Sequence, residues 1–421
     1  MMSPRIHVVG AGVAGLAAAV RLAEAGHRVS LYDSAGHAGG RCRSFFDDQL
    51  GCRIDNGNHL MLSGNWSIRR YLETIGAGGS LTGPADASFP FRDLRSGETW
   101  TVRPDKGVIP WSVLSGSGRV PGATLGEYLR VLRLARAGRD ETIQDCLAGP
   151  GVLFEKFWEP LAVGVLNTPV GTASARLLWP VVKETFGRGR AACRPLMARD
   201  GLSESFVDPA LAFLEQKGAA VHFNRRLRSL TFDGSRLASL SFADEDRELG
   251  EEDGAVLALP AWAVKGLVPE LETPGGTHAI VNAHFRLPKA PEDAPMLVGL
   301  VGGTAQWVFL RGEIASVTVS AADDLAGEGN DLIAERLWGE VCAALGLGDA
   351  PMPPHRIVKE KRATIAQTPA EDRRRPAART KWANLVLAGD WTDTGLPATI
   401  EGSIRSGDRA AEVIAAAMRS G

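Results

Sequence analysis

The spacing of three glycines near the start of the chain is the feature that most restricts its fold. Gly10, Gly12 and Gly15 form the pattern G-x-G-x-x-G directly after the β-branched run RIHVV and at the start of an alanine-rich stretch that ends near Gly26. A second strand-like run, HRVSLYD, ends at Asp33. This order predicts a βαβ unit whose glycines allow a tight turn, the approach of a pyrophosphate and close packing of helix on strand.

The acidic end of the second predicted strand completes the signal for a dinucleotide. Asp33 follows the glycines by roughly 20 residues, where a carboxylate can accept hydrogen bonds from ribose hydroxyls. The free N–H groups at the helix start attract phosphates. The first unit does not distinguish FAD from NAD.

The far end of the chain favours FAD. Gly389 and Asp390 follow a predicted strand, and a helix begins near Ile400. A second glycine turn that opens a helix can hold the other end of a long cofactor, and an acidic side chain there can accept from ribityl hydroxyls. Gly40 and Arg41 follow shortly after the first unit. Arg41 could contact the pyrophosphate, or the two residues could belong to an ordinary surface turn, and both alternatives stay open.

Composition limits the other classes of function. The 421 residues are too many for one ordinary core, so two domains or one elaborated domain are expected. A net charge of −2 argues against a general nucleic-acid surface. The five cysteines show no CxxC pair and indicate reduced thiols of a cytosolic protein, with no metal site predicted. No stretch predicts a transmembrane helix.

Several motifs carry a family resemblance. The glycine triplet, the acidic strand end, the GGR that ends at Arg41 and the C-terminal GD together resemble the FAD-dependent amine oxidase and carotenoid desaturase superfamily. The stretches DNGNHLMLSGN, FWEPLAVGVLNTPVGTASA and AGDWTDTGLPATIEGSIRSG are similar to those of bacterial hydroxysqualene dehydroxylases, the squalene-associated flavoproteins of hopanoid synthesis. QWVFLRG and EKRATIAQTP also fit, so the similarity covers nearly the whole chain. Asn58 departs from the pattern, in which glutamine is expected.

The resemblance implies an α/β fold (α+β overall) of the amine-oxidase type. A Rossmann-like FAD-binding domain is expected from residues 1–85, 195–270 and 350–421. A substrate domain of mixed sheet plus helices is expected from residues 86–194 and 271–349, with the active site at the junction. The expected location is cytoplasmic, and contact with the inner membrane is left open.

The implied reaction is the reductive removal of the hydroxyl of hydroxysqualene, a C30 isoprenoid, to give squalene. Reduced flavin supplies hydride, while the protein positions the substrate and supplies a proton donor. Two alternatives are an oxidative isoprenoid desaturase of the phytoene type and a non-catalytic prenyl-lipid escort protein on the same fold. An amine oxidase is less favoured, because none of the three tyrosines lies near Asp390 in sequence.

Three residues are the candidates for catalysis. His59 is the first choice for a proton donor or an oxygen-orienting group, since an ordinary imidazole can take either protonation state near neutrality; it could instead cap the turn. Asn58 could bond the flavin edge or close the turn. Glu159 could be a general acid if burial raises its pKa, although a surface role is favoured. Asp55 could support His59, although a solvated turn aspartate is the favoured interpretation.

The predicted cofactor contacts are spread over four segments of the chain. They are Gly10, Gly12, Gly15, Asp33, Gly40, Arg41, Asn56, Gly57, Leu227, Gly389, Asp390 and Ile400.

One segment bears on membrane contact. In LGEYLRVLRLARAG, Leu125, Leu129 and Leu132 recur at helical spacing with arginines beside them. The pattern predicts one amphipathic helix, which could lie on a membrane surface but is favoured to pack on the outside of a domain.

Overall fold

The computed structural model describes residues 4–419. The strands of this part of the chain are β1 (Arg5–Val9), β2 (Arg28–Tyr32), β3 (Ser44–Asp47), β4 (Cys52–Asp55), β5 (Met61–Leu62), β6 (Leu81–Thr82), β7 (Phe89–Asp93), β8 (Thr99–Val102), β9 (Pro195–Ala198), β10 (Ala220–His222), β11 (Leu227–Asp233), β12 (Arg236–Phe242), β13 (Asp246–Glu248), β14 (Gly254–Leu257), β15 (Thr277–Arg286), β16 (Leu297–Val301), β17 (Trp307–Arg311), β18 (Ile314–Val319), β19 (His355–Ile365) and β20 (Leu385–Leu387).

The α-helices are α1 (Val13–Glu24), α2 (Trp66–Thr74), α3 (Trp111–Ser115), α4 (Leu125–Leu129), α5 (Val131–Leu134), α6 (Ile143–Leu147), α7 (Glu159–Leu166), α8 (Ala175–Glu184), α9 (Arg190–Cys193), α10 (Asp208–Gln216), α11 (Ala261–Leu267), α12 (Asn330–Leu345), α13 (Pro369–Arg373) and α14 (Ile400–Arg419). Single π-helical turns lie at Phe154–Trp158 and Ser203–Val207.

A parallel sheet carries the predicted βαβ unit. Its strand order is β10-β2-β1-β14-β20, and every neighbouring pair is parallel. Ile6 and Val8 of β1 point into a core shared with α1 and α14, while Val9 belongs to a second core on the opposite face. Because both faces are covered, nearly all residues of β1, β2, β14 and β20 are buried, as in parallel strands generally.

Helices α1 and α14 lie backbone against backbone. A Cβ added at Gly407 of α14 would collide with the carbonyl oxygen of Ala14 and would lie 2.8 Å from Cβ of Ala17. Glycine at this position therefore permits a closer approach than any side chain would. The contact joins the first helix of the chain to the last.

The second large sheet has seven strands in the order β19-β15-β18-β17-β16-β7-β8. All neighbours are antiparallel except β16 and β7. Alternate residues of β15 and β18 form an apolar face that packs on α12. The other face carries polar residues, among them Asn282, His284, Ser316 and Thr318, all of them buried.

Sheet pairing bears on the predicted domain division, which otherwise stays a prediction. All strands of the parallel sheet lie in the segments assigned to FAD binding, and β7, β8 and β15 to β18 lie in the substrate segments. Strand β19 pairs with β15 from Thr277 to Phe285, so the seven-stranded sheet extends to Ile365, past the boundary predicted at residue 350.

The predicted single amphipathic helix near residue 130 is wrong. The segment forms two short helices, α4 and α5, that are separated at Arg130. The N–H groups of Arg130, Arg133 and Arg136 bond to carbonyls three residues earlier, which tightens the turns. Leu129 and Leu132 are left 53% and 57% exposed. Within residues 4–419, no helix has the length and apolar character needed to cross a bilayer.

Candidate functional site

One large cavity joins the two sheets. It has a volume of about 860 Å³ and is lined at one end by the glycine loop after β1 and at the other by apolar side chains. Most of the predicted cofactor contacts line it, namely Gly10, Gly12, Asp33, Gly40, Arg41, Asn56, Gly57, Gly389, Asp390 and Ile400. The candidates Asn58 and His59 line it as well.

The three glycines of the first loop have different physical roles. A Cβ at Gly10 would collide with the carbonyl oxygen of Ala258, and one at Gly15 would collide with the carbonyl oxygen of Gly10. Gly15 therefore does not line the cavity but allows α1 to pack on the strands. A Cβ at Gly12 would meet no described atom within 4 Å. Gly12 is thus the position where the backbone is open to a ligand.

The N-terminus of α1 is available to an anion. Gly12 is its N-cap residue, and no side chain within residues 4–419 caps it. Asp33 holds the loop from the side, because its Oδ2 accepts from the N–H of Ala11 at 2.7 Å and its Oδ1 from the N–H of Ala35 at 2.8 Å. A carboxylate has further acceptor capacity, so Asp33 can also bond ribose hydroxyls.

Arg41 and Asp390 connect the two ends of the chain. Arg41 Nη2 lies 2.8 Å from Asp390 Oδ2, and Arg41 also donates to the carbonyl oxygen of Ala363. Asp390 itself is buried, and the turn before it is fixed by a hydrogen bond from Gly389 N to Ser406 Oγ in α14. Arg41 therefore contacts a carboxylate and also lines the cavity, so its surroundings are not those of an ordinary surface turn.

A hydrogen-bond network fixes the polar loop at residues 56–58 to the seven-stranded sheet. Asn58 Nδ2 donates to Thr318 Oγ1 at 3.0 Å, Thr318 Oγ1 donates to Asn282 Oδ1 at 2.8 Å, and Asn282 Nδ2 donates to the carbonyl oxygen of Asn56 at 3.4 Å. The amide of Asn58 thus has a structural partner. A glutamine at Asn58 would be one methylene longer and would reach past Thr318.

Sequence reasoning missed Asn282 and Thr318. Their signal is readable, since β15 and β18 alternate apolar residues facing α12 with polar ones facing the cavity, a period-2 pattern with polar residues in buried strands. What the sequence does not contain is the pairing that sets Asn282 opposite Thr318.

His59 lines the large cavity, and its ring makes no hydrogen bond to residues 4–419. Burial lowers its pKa from 6.5 to about 4, although Asp55 raises it and Arg41 lowers it further. Burial therefore favours the neutral ring in the free site, while the catalytic role of His59 stays a prediction. The alternative of a turn-capping histidine finds no carbonyl partner in the described chain.

Three other residues named from the sequence lie in positions that bear on their expected roles. Glu159 begins α7 and is absent from the cavity lining; burial raises its pKa, and nearby Glu155 raises it further. Leu227 packs in an apolar core beside the parallel sheet and is absent from the cavity lining, so its contact with a cofactor stays a prediction. Asp55 is not a solvated turn residue, because it is 6% exposed and its Oδ2 lies 2.7 Å from Nη1 of Arg311.

Comparison with known proteins gives a consistent result. The family model described as flavin-containing amine oxidoreductase matches residues 13–415. A hydroxysqualene dehydroxylase of Rhodopseudomonas palustris is 46% identical over 420 residues, with 100% of each chain covered. A second, of Zymomonas mobilis, is 44% identical, with 97% of this chain and 98% of the relative covered. A zeta-carotene desaturase of Synechocystis is 23% identical, with 98% and 97% covered.

Among solved structures, cyclohexylamine oxidase of Brevibacterium oxydans superposes with a TM-score of 0.69 at 14% identity, with 99% of each chain covered. At this identity the likeness concerns the fold alone. It confirms the predicted amine-oxidase-like α/β architecture.

Alanine at Gly12 and at Gly15 should separate ligand binding from folding. In Gly12→Ala the new methyl group meets open space, so the free energy of unfolding of the cofactor-free protein should change by less than about 0.5 kcal/mol, while flavin content of the purified protein falls. In Gly15→Ala the clash with Gly10 should cost about 1–3 kcal/mol. Flavin absorbance per chain and chemical denaturation measure the two effects. Full flavin content in Gly12→Ala would contradict the assignment of this loop.

Proposed function

The chain belongs to the flavin-containing amine oxidoreductases and to the hydroxysqualene dehydroxylases among them, and on that premise we propose that it reduces hydroxysqualene to squalene with FAD. The structural observation that carries the proposal is a single cavity with glycine loops at one end and an apolar wall at the other. His59 lies among the residues of that same cavity.

The residues of the glycine-loop end fit FAD. Gly12 and the uncapped N-terminus of α1 would receive the pyrophosphate, and Asp33 the adenosine ribose. Asp390 and the N-terminus of α14 would hold the ribityl and flavin end. When bound in its reduced form, FAD supplies the hydride. The remaining contributions come from the protein.

The opposite end of the cavity suits an isoprenoid. Its walls are formed by α7, α8, the turn after α8 and the seven-stranded sheet, through Phe89, Leu161, Val165, Val181, Phe186 and Trp307. Apolar side chains bind a hydrocarbon by removing both surfaces from water, and a water-poor site also strengthens any hydrogen bond to the substrate hydroxyl.

His59 is placed to act on the departing oxygen. An allylic hydroxyl leaves more readily when its oxygen receives a hydrogen bond or a proton. Both ring nitrogens of His59 are free of partners within residues 4–419, so one of them can face the substrate. Asn58 lies beside it but is committed to Thr318. We therefore assign the oxygen-binding role to His59 and a positioning role to Asn58, and we drop Glu159.

The rival desaturase reaction has a specific argument in its favour, the relative from Synechocystis that aligns over the whole chain. Its lower identity makes it the second candidate. The two reactions run in opposite redox directions, so a single anaerobic experiment separates them.

The assay begins with flavin reduced on the enzyme in the absence of oxygen. Addition of hydroxysqualene should reoxidise the flavin and yield one squalene per flavin, followed by absorbance and by chromatography of the extract. Oxidised enzyme mixed with squalene or phytoene should remain oxidised. Bleaching of the oxidised flavin by these hydrocarbons, with no squalene formed in the first arm, would establish the desaturase instead.

Replacement of His59 should slow the chemical step without loss of flavin. We expect His59→Ala to lower kcat by roughly 10²–10⁴, the range of general acid catalysis, and to leave flavin content unchanged. His355 is a matched control, because it lies on β19 outside the cavity lining and bonds only the carbonyl of Pro353 among described residues. Wild-type turnover in His59→Ala would remove the residue from the mechanism.

We also propose that the protein docks on the cytoplasmic surface of an anionic membrane through α3 to α5. Val108, Ile109, Trp111 and Leu114 are all more than 40% exposed, and Leu129 and Leu132 extend the same apolar surface. Helix α3 contacts α4, and α4 contacts α5, so the exposed apolar residues lie on neighbouring elements. Exposed apolar surface of this extent on a monomer marks an interaction site.

The charges around this surface favour anionic lipid. From residue 106 to residue 136 the chain carries five cations, and its one acidic residue, Glu127, is buried and bonded to Leu153 N. Each cation near an anionic membrane contributes about 1 kcal/mol. The surface also adjoins the cavity. Phe186 lines the cavity wall, and Gly189, three residues further along the chain, packs on the carbonyl oxygens of Lys106 and Gly107.

Vesicle binding tests this second proposal. Trp111→Ser with Leu132→Ser should lower binding to vesicles containing phosphatidylglycerol by about tenfold or more, given roughly 1.5–3 kcal/mol for each large side chain buried. Leu332→Ser is the matched control, since Leu332 is 60% exposed on α12. Flotation or surface plasmon resonance gives the affinity. Equal binding by the double variant and the control would exclude this surface as the membrane contact.

A further inference from the structure

A second, much smaller cavity lies behind His59. Its volume is about 20 Å³, and Asn58, His59 and Phe309 line both cavities, so these residues separate them. Three polar residues line only the small cavity: Asp55, Arg311 and Ser316. Met197, Ala198 and Leu202 also line it.

The size and polarity of the small cavity fit one water molecule. A buried water needs about 10–15 Å³ of accessible volume and two to four polar partners. Asp55, Arg311, Ser316, Asn58 and His59 provide more than that number. An apolar cavity of equal size would stay dry, so the lining chemistry is what distinguishes this one.

Asp55 has one acceptor site left for such a water. Its Oδ1 accepts from Ser44 Oγ at 2.6 Å and from Leu202 N at 3.0 Å, and its Oδ2 accepts from Arg311 Nη1 at 2.7 Å. A carboxylate offers about four acceptor positions, so one position on Oδ2 remains. An unfilled position on a buried charged group is costly, which favours a donor there.

We propose that one water in the small cavity joins Asp55 to the ring of His59, and that Asp55 is thereby a positioning residue for His59. The proposal rests on the proposed function only in giving His59 a catalytic role. The water donates to Asp55 Oδ2 and accepts the N–H of the nearer ring nitrogen. The other nitrogen then faces the large cavity, as an acceptor when the ring is neutral and as a donor when it is protonated.

The surrounding charges give Asp55 a second effect. Burial is the main cause that lowers the pKa of His59, Arg41 lowers it further, and Asp55 raises it. Arg311 pairs with Asp55 at 2.7 Å, and burial lowers the pKa of His284, which is bonded to Ser316 Oγ at 2.8 Å, to about 4. Loss of the Asp55 charge should therefore make the protonated, donating form of His59 rarer at any given pH.

Nitrogen NMR of the flavin-loaded enzyme tests the link without reference to turnover. Wild-type His59 should show a single tautomer. In Asp55→Asn we expect a mixture of tautomers and a kcat at least about tenfold lower, because loss of an orienting carboxylate releases the ring into the wrong tautomer. We also expect a lower His59 pKa, because the negative charge that raises it is lost. The decrease in kcat should be larger at high pH, where the protonated form is already scarce.

Asp47→Asn is the matched control. Asp47 lies at the other end of the same β3–β4 hairpin, is equally buried, and pairs with Arg356 at 3.3 Å, yet it lines neither cavity. Its replacement should leave the His59 signals unchanged. An equal response to Asp47→Asn and Asp55→Asn would reduce the effect to general destabilisation and overturn the proposal.

Ala198→Val provides a route that leaves Asp55 in place. Ala198 lines the small cavity, so the added methyl groups should displace the water and produce the same mixture of tautomers, even if Asp55→Asn does not fold. Unchanged His59 signals in Ala198→Val would overturn the proposal. If the signals respond while His59→Ala keeps full turnover, the water link stands and the catalytic role of His59 fails.

Discussion

Close contact between backbones is the constraint on which the rest of this structure depends. Helix α1 reaches its place only because Gly10, Gly15 and Gly407 lack side chains where the loop meets β14, where the helix meets the loop and where α14 crosses α1. That packing points the N-terminus of α1 at the cavity. It also places Asp390 and α14 opposite the first loop, so one ligand can contact both ends of the chain.

The seven-stranded sheet gives the reactive end its rigidity. One face is apolar and fixed by α12, and the other presents polar side chains to the cavity. The loop at residues 56–59 has little regular structure of its own, but Asn282 and Thr318 bind it to a sheet that cannot shift independently of its core. A loop positioned in this way combines access to the cavity with a fixed geometry.

Local pattern was enough to predict much of the fold and the cofactor half of the site. The glycine loop, Asp33 and the Gly389 turn are short-range signals with a direct physical meaning, and the resemblance added the dehydroxylase assignment. Leu227 and Glu159 lie outside the cavity lining, a placement that depends on long-range packing and cannot be read from local pattern. The same limit applies to Asp55 and Arg311, whose pairing joins residues from β4 and β17, and to the lowered pKa of His59, which follows from burial.

The contact between α1 and α14 also sets an order of events in synthesis. Ala14 and Gly407 are separated by almost the whole chain, so the apolar side of α1 has no final partner until the last segment has left the ribosome. At 5–20 residues per second this interval is roughly 20–80 s. During that time the alanine- and leucine-rich face of α1 lacks the partner that covers it in the folded protein.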